Sequence, residues 1–195
     1  MSKKNIEKIS LLIERIKDWN SLNDDELFQL IKEFEKMPRL EVSGFYNDLF
    51  NDAKLVENLL AIYDNHCDKT KLVVLLISSI GNMIQRYHIP ETKAIYEFML
   101  KNTYRKNVGA YVALFLPRLI SFKTYNSKWK YIMDIKMMSP KKVAESAFES
   151  LIDLYMDSIP VEYKVVASDY FKNKAQKSNN EYGKHYYLDL ASKIR

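Results

Sequence analysis

Four acidic residues that recur every four positions are one group in this sequence that could support chemistry. Glu145, Glu149, Asp153 and Asp157 would share one face of a helix, since a helical turn takes about 3.6 residues. Carboxylates on one face can hold a divalent cation or work as an acid and a base. No glycine-containing cation loop accompanies them, so a solvated helix face is the favoured interpretation. A third possibility is that they pair with basic residues of adjacent helices.

The three histidines and the single cysteine lack the spacing of a catalytic or metal-binding set. His66 and Cys67 are neighbours, but no Asp or Asn can be assigned to orient the imidazole. The sequence therefore favours a turn histidine beside a partly buried structural cysteine. His88 is expected to lie near a helix C-terminus as a cap, and His185 shares a helix with tyrosines. Neither a metal nor a cofactor is predicted.

Asp134 is the one acid in a strongly basic stretch. Between positions 101 and 142 ten basic residues face this single carboxylate, which gives a net charge of +9. A lone carboxylate in a basic cleft resembles the arrangement in helical-repeat alkylpurine DNA glycosylases, with Trp129 and Arg118 completing the constellation. The surrounding pattern of that family is absent here. An ion pair between Asp134 and Lys130, four residues earlier, is the favoured alternative.

The basic stretch also contains interleaved aromatic residues, and together they predict a binding surface. Cations with aromatic side chains between them suit phosphates and bases, as in nucleic-acid binding, and equally suit an acidic protein surface. Most of the aromatic residues fall on positions expected to face the core. The residues predicted to contact a partner are Lys101, Arg105, Lys106, Arg118, Lys123, Tyr125, Lys128, Lys130 and Lys136.

The helices that carry these residues can be predicted from capping and proline signals. Asn107 is expected to cap a helix that Pro117 bends, and a short helix is expected from Ser127 to about Met138. Ser139 followed by Pro140 then predicts a third helix from Lys141. Within this stretch, VALFLPRLI and SPKKVAESAFESLIDL resemble the paired helices of a HEAT repeat, over about residues 107–157. The resemblance implies stacked helical hairpins.

The sequence predicts further helices in the rest of the chain. Asn23 with Glu26 forms a capping box for a second helix, which Pro38 is expected to end. A long apolar helix from Lys69 to Tyr87 is expected to be central, with Gly81 allowing a close crossing. Pro90 and Pro160 are expected to open helices.

The amino-acid composition favours an all-α fold. The 195 residues are 47% hydrophobic and 28% charged, with only 4 Gly and 5 Pro, which favours helices over sheets with many tight turns. We predict one all-α domain over residues 1–195, with about ten helices stacked as antiparallel hairpins. The arrangement would be a HEAT-like right-handed solenoid or an irregular helical bundle.

The same features set the functional expectation. No export signal is found, and the longest apolar run, from Leu72 to Ile80, is too short for a bilayer crossing, so a cytoplasmic protein without membrane contact is expected. Since no catalytic signature is present, the favoured function is a non-enzymatic protein-binding module of the immunity-protein, inhibitor or adaptor type. Its partner would present an acidic surface. The alternative is a nucleic-acid-binding HEAT-like protein, with a glycosylase-like repair enzyme as one form of it.

Overall fold

The computed structural model describes residues 3–40 and 44–194, and all regular structure within them is helical. The predicted all-α class is therefore confirmed, as is the number of about ten helices, since ten of the twelve α-helices are longer than one turn. Five short 3₁₀ helices join them. The α-helices are, in chain order, α1 (Lys3–Lys17), α2 (Asp24–Phe34), α3 (Met37–Leu40), α4 (Asn47–Phe50), α5 (Ala53–Asn65), α6 (Thr70–Tyr87), α7 (Lys93–Lys101), α8 (Gly109–Phe115), α9 (Lys128–Ile135), α10 (Lys141–Leu154), α11 (Val161–Lys177) and α12 (Glu181–Lys193).

Three predicted helix starts are confirmed, and one of them, at α2, has the predicted capping geometry. Asn23 Oδ1 accepts hydrogen bonds from the Asp25 and Glu26 amides at 3.1 and 3.0 Å, and the Glu26 carboxylate accepts from the Asn23 amide at 3.0 Å. This reciprocal pair is the predicted capping box at the start of α2. Helices α10 and α11 begin directly after Pro140 and Pro160, as predicted. Both prolines occupy the N-cap position instead of the first helical position, however, and neither helix has a side-chain hydrogen bond at its cap.

Three predicted boundaries are wrong. Asn107 does not cap α8: it adopts a left-handed backbone conformation with φ of 61°, and the N-cap position is occupied by Val108, which makes no side-chain hydrogen bond to the helix. Pro90 does not open α7, whose cap is Thr92, with Oγ1 accepting from the Ile95 amide at 3.2 Å. Pro38 does not end α2, which stops at Phe34, and the proline lies instead within α3, where the first turn tolerates it. Of the predicted loop Arg39 to Ser43, residues 41–43 lie outside the described part of the chain.

Helix α6 is central, as predicted. It packs against α2, α3, α4, α5 and α8, so apolar residues cover most of its circumference. Gly81 makes the crossing with α8 possible, because a Cβ atom at this position would overlap the Phe115 ring. Within residues 3–40 and 44–194, no helix combines the length and apolar character that a membrane crossing requires.

The two segments that resemble a HEAT repeat pack against each other as α8 and α10. Pro117 ends the first of them, since the chain passes from α8 into a 3₁₀ helix at Leu116–Arg118 instead of continuing after a bend. The Glu91 carboxylate then accepts hydrogen bonds from the amides of Ile120 and Ser121, at the start of the next 3₁₀ helix. One hydrophobic cluster runs from Ile9 to Ile194 and joins all these elements.

Candidate functional site

The basic segment, defined here as residues 101–142, contains cations that lack acidic partners. Of its ten lysines and arginines, only Lys141 lies within salt-bridge distance of a described carboxylate, with its Nζ 3.9 Å from Glu145 Oε1. Seven of the nine residues predicted to contact a partner are cations without such a carboxylate and without a hydrogen bond to the described residues. These seven are Lys101, Lys106, Arg118, Lys123, Lys128, Lys130 and Lys136.

The flanking parts of the chain differ in this respect. Between positions 3 and 97, six of thirteen lysines and arginines form salt bridges, namely Lys8, Lys17, Arg39, Lys54, Lys69 and Lys93. Between positions 143 and 194, at least four of six form salt bridges, namely Lys172, Lys174, Lys184 and Lys193. The lack of carboxylate partners is therefore concentrated in the basic segment.

Arg105 differs from the other predicted contact residues because its guanidinium is used within the fold. It donates to the carbonyl oxygens of Cys67 and Asp68, the latter at 3.3 Å, and to Thr70 Oγ1 at 3.3 Å. These bonds tie the turn after α7 to the turn between α5 and α6. Arg105 thus contributes to positioning the basic segment, and its donors are already occupied.

The aromatic residues of the basic segment face the core more than the solvent. Phe122 and Tyr131 are fully buried, while Tyr125 and Trp129 are half-buried and pack against the core. Lys128 lies 4.9 Å from the centroid of the Tyr155 ring, a cation-π distance. The aromatic side chains therefore contribute mainly to the core that lies under the cations. Few of their ring faces are accessible for stacking against nucleic-acid bases.

Asp134 does not pair with Lys130, contrary to the favoured prediction. Its carboxylate accepts a hydrogen bond from the Tyr104 hydroxyl at 3.2 Å, because the tyrosine from the turn after α7 reaches across to α9. Burial and the nearby Asp134 charge raise the pKa of Tyr104 to about 12. The pair lines a groove of about 390 Å³ together with Lys106. Trp129 makes its aromatic contact with Tyr155 instead, so the glycosylase-like constellation is not assembled by these contacts.

The acidic stripe, formed by Glu145, Glu149, Asp153 and Asp157, divides into two halves with different surroundings. Glu145 and Glu149 are half-buried, and Lys174 of α11 reaches an oxygen of each at 3.0 Å. Asp153 and Asp157 are exposed, so the favoured solvated face holds for this half only. The other half, Glu145 and Glu149, pairs with a basic residue of an adjacent helix, which was the third possibility considered for these residues. Among the described residues, no cluster of three or more His, Cys, Asp or Glu side chains is arranged to hold a metal ion.

Two tyrosines complete the network around Lys174. The hydroxyls of Tyr170 and Tyr187 donate to the Glu149 carboxylate at 3.0 and 3.4 Å. Burial lowers the pKa of Lys174, but the hydrogen bonds to Glu145 and Glu149 outweigh burial and raise it overall. Burial and the Glu149 charge also raise the pKa of Tyr170. The network joins α10, α11 and α12.

A cleft of about 720 Å³ opens beside this network and was not predicted from the sequence. Its lining includes Lys136, Lys141, Lys174 and Lys177, with Tyr170 and Tyr187 on its wall. Only Lys136 belongs to the predicted set. The other three lysines come from α10 and α11, and no local motif signals that these helices meet at the end of α9.

The histidine and cysteine predictions have mixed outcomes. His88 lies at the C-cap of α6, as expected, in a left-handed conformation with φ of 52°. The His66 ring has its Nδ1 3.8 Å from Asp24 Oδ1 and contacts Trp19 edge-on. Cys67 is exposed, so the prediction of a partly buried cysteine is wrong.

Comparison of the chain with protein families, with curated proteins and with solved structures gave no significant match.

Proposed function

We propose that this protein is a non-enzymatic binding module, of the immunity-protein, inhibitor or adaptor type, that docks an acidic protein through its basic segment. The observation that carries the proposal is the set of seven cations that lack a carboxylate partner among the described residues. Mutually repelling charges left without internal partners favour an anionic partner, whose approach they also steer. We further propose that α8 and α10 correspond to the helices of a HEAT-like hairpin.

The exposure of the aromatic residues supports a protein partner over single-stranded nucleic acid. Stacking of bases requires accessible ring faces. Phe122 and Tyr131 are buried, and the exposed Tyr104 is hydrogen bonded to Asp134. What remains accessible is mainly charge at the tips of long side chains.

A quadruple variant tests the proposal. It changes Lys101, Lys106, Lys123 and Lys130 to Gln, since all four are exposed and make no described hydrogen bond or salt bridge. A matched control removes the same charge from other exposed lysines that have no salt bridge to a described residue, by changing Lys3, Lys4, Lys32 and Lys36 to Gln. The wild type and both variants would be used as baits in the source cells, and the captured partner would be purified for association kinetics.

We expect an acidic protein to bind the wild type and the control with similar association rates. The basic-segment variant should associate about tenfold more slowly, with a flatter salt dependence. A partner captured equally by all three proteins would contradict the proposed surface. Binding of the wild type to duplex or single-stranded DNA at near-physiological salt, abolished in the basic-segment variant alone, would replace the proposal with a nucleic-acid-binding function.

A further inference from the structure

The lysines that line the cleft between the start of α10 and the α11–α12 pair differ in whether a carboxylate neutralises them. On the wall, Lys174 is neutralised by Glu145 and Glu149, and the hydroxyls of Tyr170 and Tyr187 are bound to Glu149. Lys136 and Lys177 also line the cleft, and they have no carboxylate partner among the described residues. The excess positive charge of the cleft therefore comes from these two lysines.

The start of α10 adds further positive charge to the cleft. The first turn of α10 contains Lys141 and Lys142 and no acid, and its N-cap, Pro140, offers no side-chain acceptor to the helix amides. Cations at a helix N-terminus are unfavourable, because the free amides and the helix dipole are already positive there. Lys141 reaches Glu145 only at 3.9 Å, so little of this charge is compensated within the fold.

We propose that the cleft binds a phosphate-bearing small molecule of nucleotide size that carries a di- or triphosphate. A volume of about 720 Å³ lies within the range of small-molecule sites. Three of the lysines that line the cleft, Lys136, Lys141 and Lys177, carry charge that is little compensated, and several ammonium groups suit a multiply charged phosphate chain better than a single carboxylate. The two tyrosine rings and Met137, which is 82% exposed, supply apolar surface for the rest of the ligand.

The inference is independent of the proposed protein-binding function. Lys136 is the one cleft residue among the nine predicted contact residues, so the test leaves it unchanged. Lys141 lies in the basic segment but is not one of those nine. The variant combines Lys141→Gln with Lys177→Gln, and the matched control combines Lys4→Gln with Lys32→Gln, which removes the same charge from exposed positions of α1 and α2. Calorimetric titrations with ADP, inorganic pyrophosphate, adenosine and citrate would be carried out on each protein, after circular dichroism has verified folding.

We expect ADP and pyrophosphate to bind the wild type and the control, and the affinity to fall at least tenfold in the cleft variant. Adenosine should bind far more weakly than ADP, because it lacks the phosphates. Absence of heat with both ADP and pyrophosphate at millimolar concentration would overturn the inference. So would equal affinities of the two variants, or citrate binding as tightly as pyrophosphate, since either result would indicate a general response to charge.

Discussion

At the scale of single residues, Tyr104 and Asp134 form the contact that most changes the interpretation of the basic segment. The only acid of this segment is held by a tyrosine hydroxyl, and the surrounding lysines are left without it. The sequence shows Asp134 and Lys130 four residues apart, but a local spacing carries no information about a tyrosine thirty residues away. The Asp134 prediction failed for this reason.

The raised pKa of Tyr104 predicts a pH effect. The folded pKa of about 12 lies above the ordinary value of 10.0, so the folded state favours the neutral phenol. The contribution of the neutral Tyr104 phenol to the stability of the folded state is therefore fully present below pH 10, and it is lost as the pH rises through about 12. Replacing Asp134 by Asn removes the negative charge and should shift the Tyr104 transition to lower pH.

The measurement is an ultraviolet titration of tyrosinate. Because the chain has 14 tyrosines, the Tyr104 transition is obtained as the difference between the wild type and Tyr104→Phe. The same difference is then measured in the Asp134→Asn background. An unchanged transition would show that the carboxylate does not contact the hydroxyl in solution.

At the scale of elements, local signals predicted helices well, whereas contacts between distant helices were predicted less well. The Asn23 capping box is a signal within four residues, and it was correct because both of its partners are local. The Glu145 and Glu149 partner, Lys174, lies 29 and 25 positions further along the chain, so the sequence could offer helix pairing only as one of three interpretations. The cleft depends on the same helix packing, and for this reason it was missed.

The crossing of α6 and α8 at Gly81 gives a prediction at this scale. Gly81→Ala places a methyl group against the Phe115 ring, which is enclosed by the core and cannot move freely. Overpacking of this kind should lower the free energy of unfolding by about 1–3 kcal/mol, measured by urea denaturation. The control is Gly44→Ala, since a Cβ atom there meets no atom within 4 Å. Equal stability of the two variants would show that the helices separate at little cost.

At the scale of the whole molecule, seven cations of the basic segment lack a carboxylate partner among the described residues, and they should make stability depend on salt in an unusual direction. Their mutual repulsion extends over about 30 Å at 0.01 M salt and about 8 Å at 0.15 M salt. Added salt should therefore stabilise the wild type. Most surface ion pairs, by contrast, weaken as salt is added.

The basic-segment and control variants, compared by melting temperature at both salt concentrations, test this prediction. At 0.01 M salt the variant with Lys101, Lys106, Lys123 and Lys130 changed to Gln should melt about 2–4 °C above the wild type, if the relieved repulsion amounts to about 1 kcal/mol. The gain should shrink at 0.15 M. The control, whose lysines lie in the net acidic half of the chain, should not gain. Equal shifts in both variants would contradict a concentration of repulsion in the basic segment.

The uneven distribution of charge also gives the molecule an electric polarity. Residues 1–97 carry 13 Lys and Arg against 16 Asp and Glu, while residues 98–195 carry 17 against 9. Helices α1 to α5 pack on one another and on α6, whereas α9 to α12 pack among themselves and on α8, so the two charge populations occupy different ends of the helix array. The electric dipole that results from this charge distribution orients the molecule as it approaches an anionic surface. On a negatively charged support it should adsorb with α9 to α12 against the support, leaving α1 to α5 towards the solution.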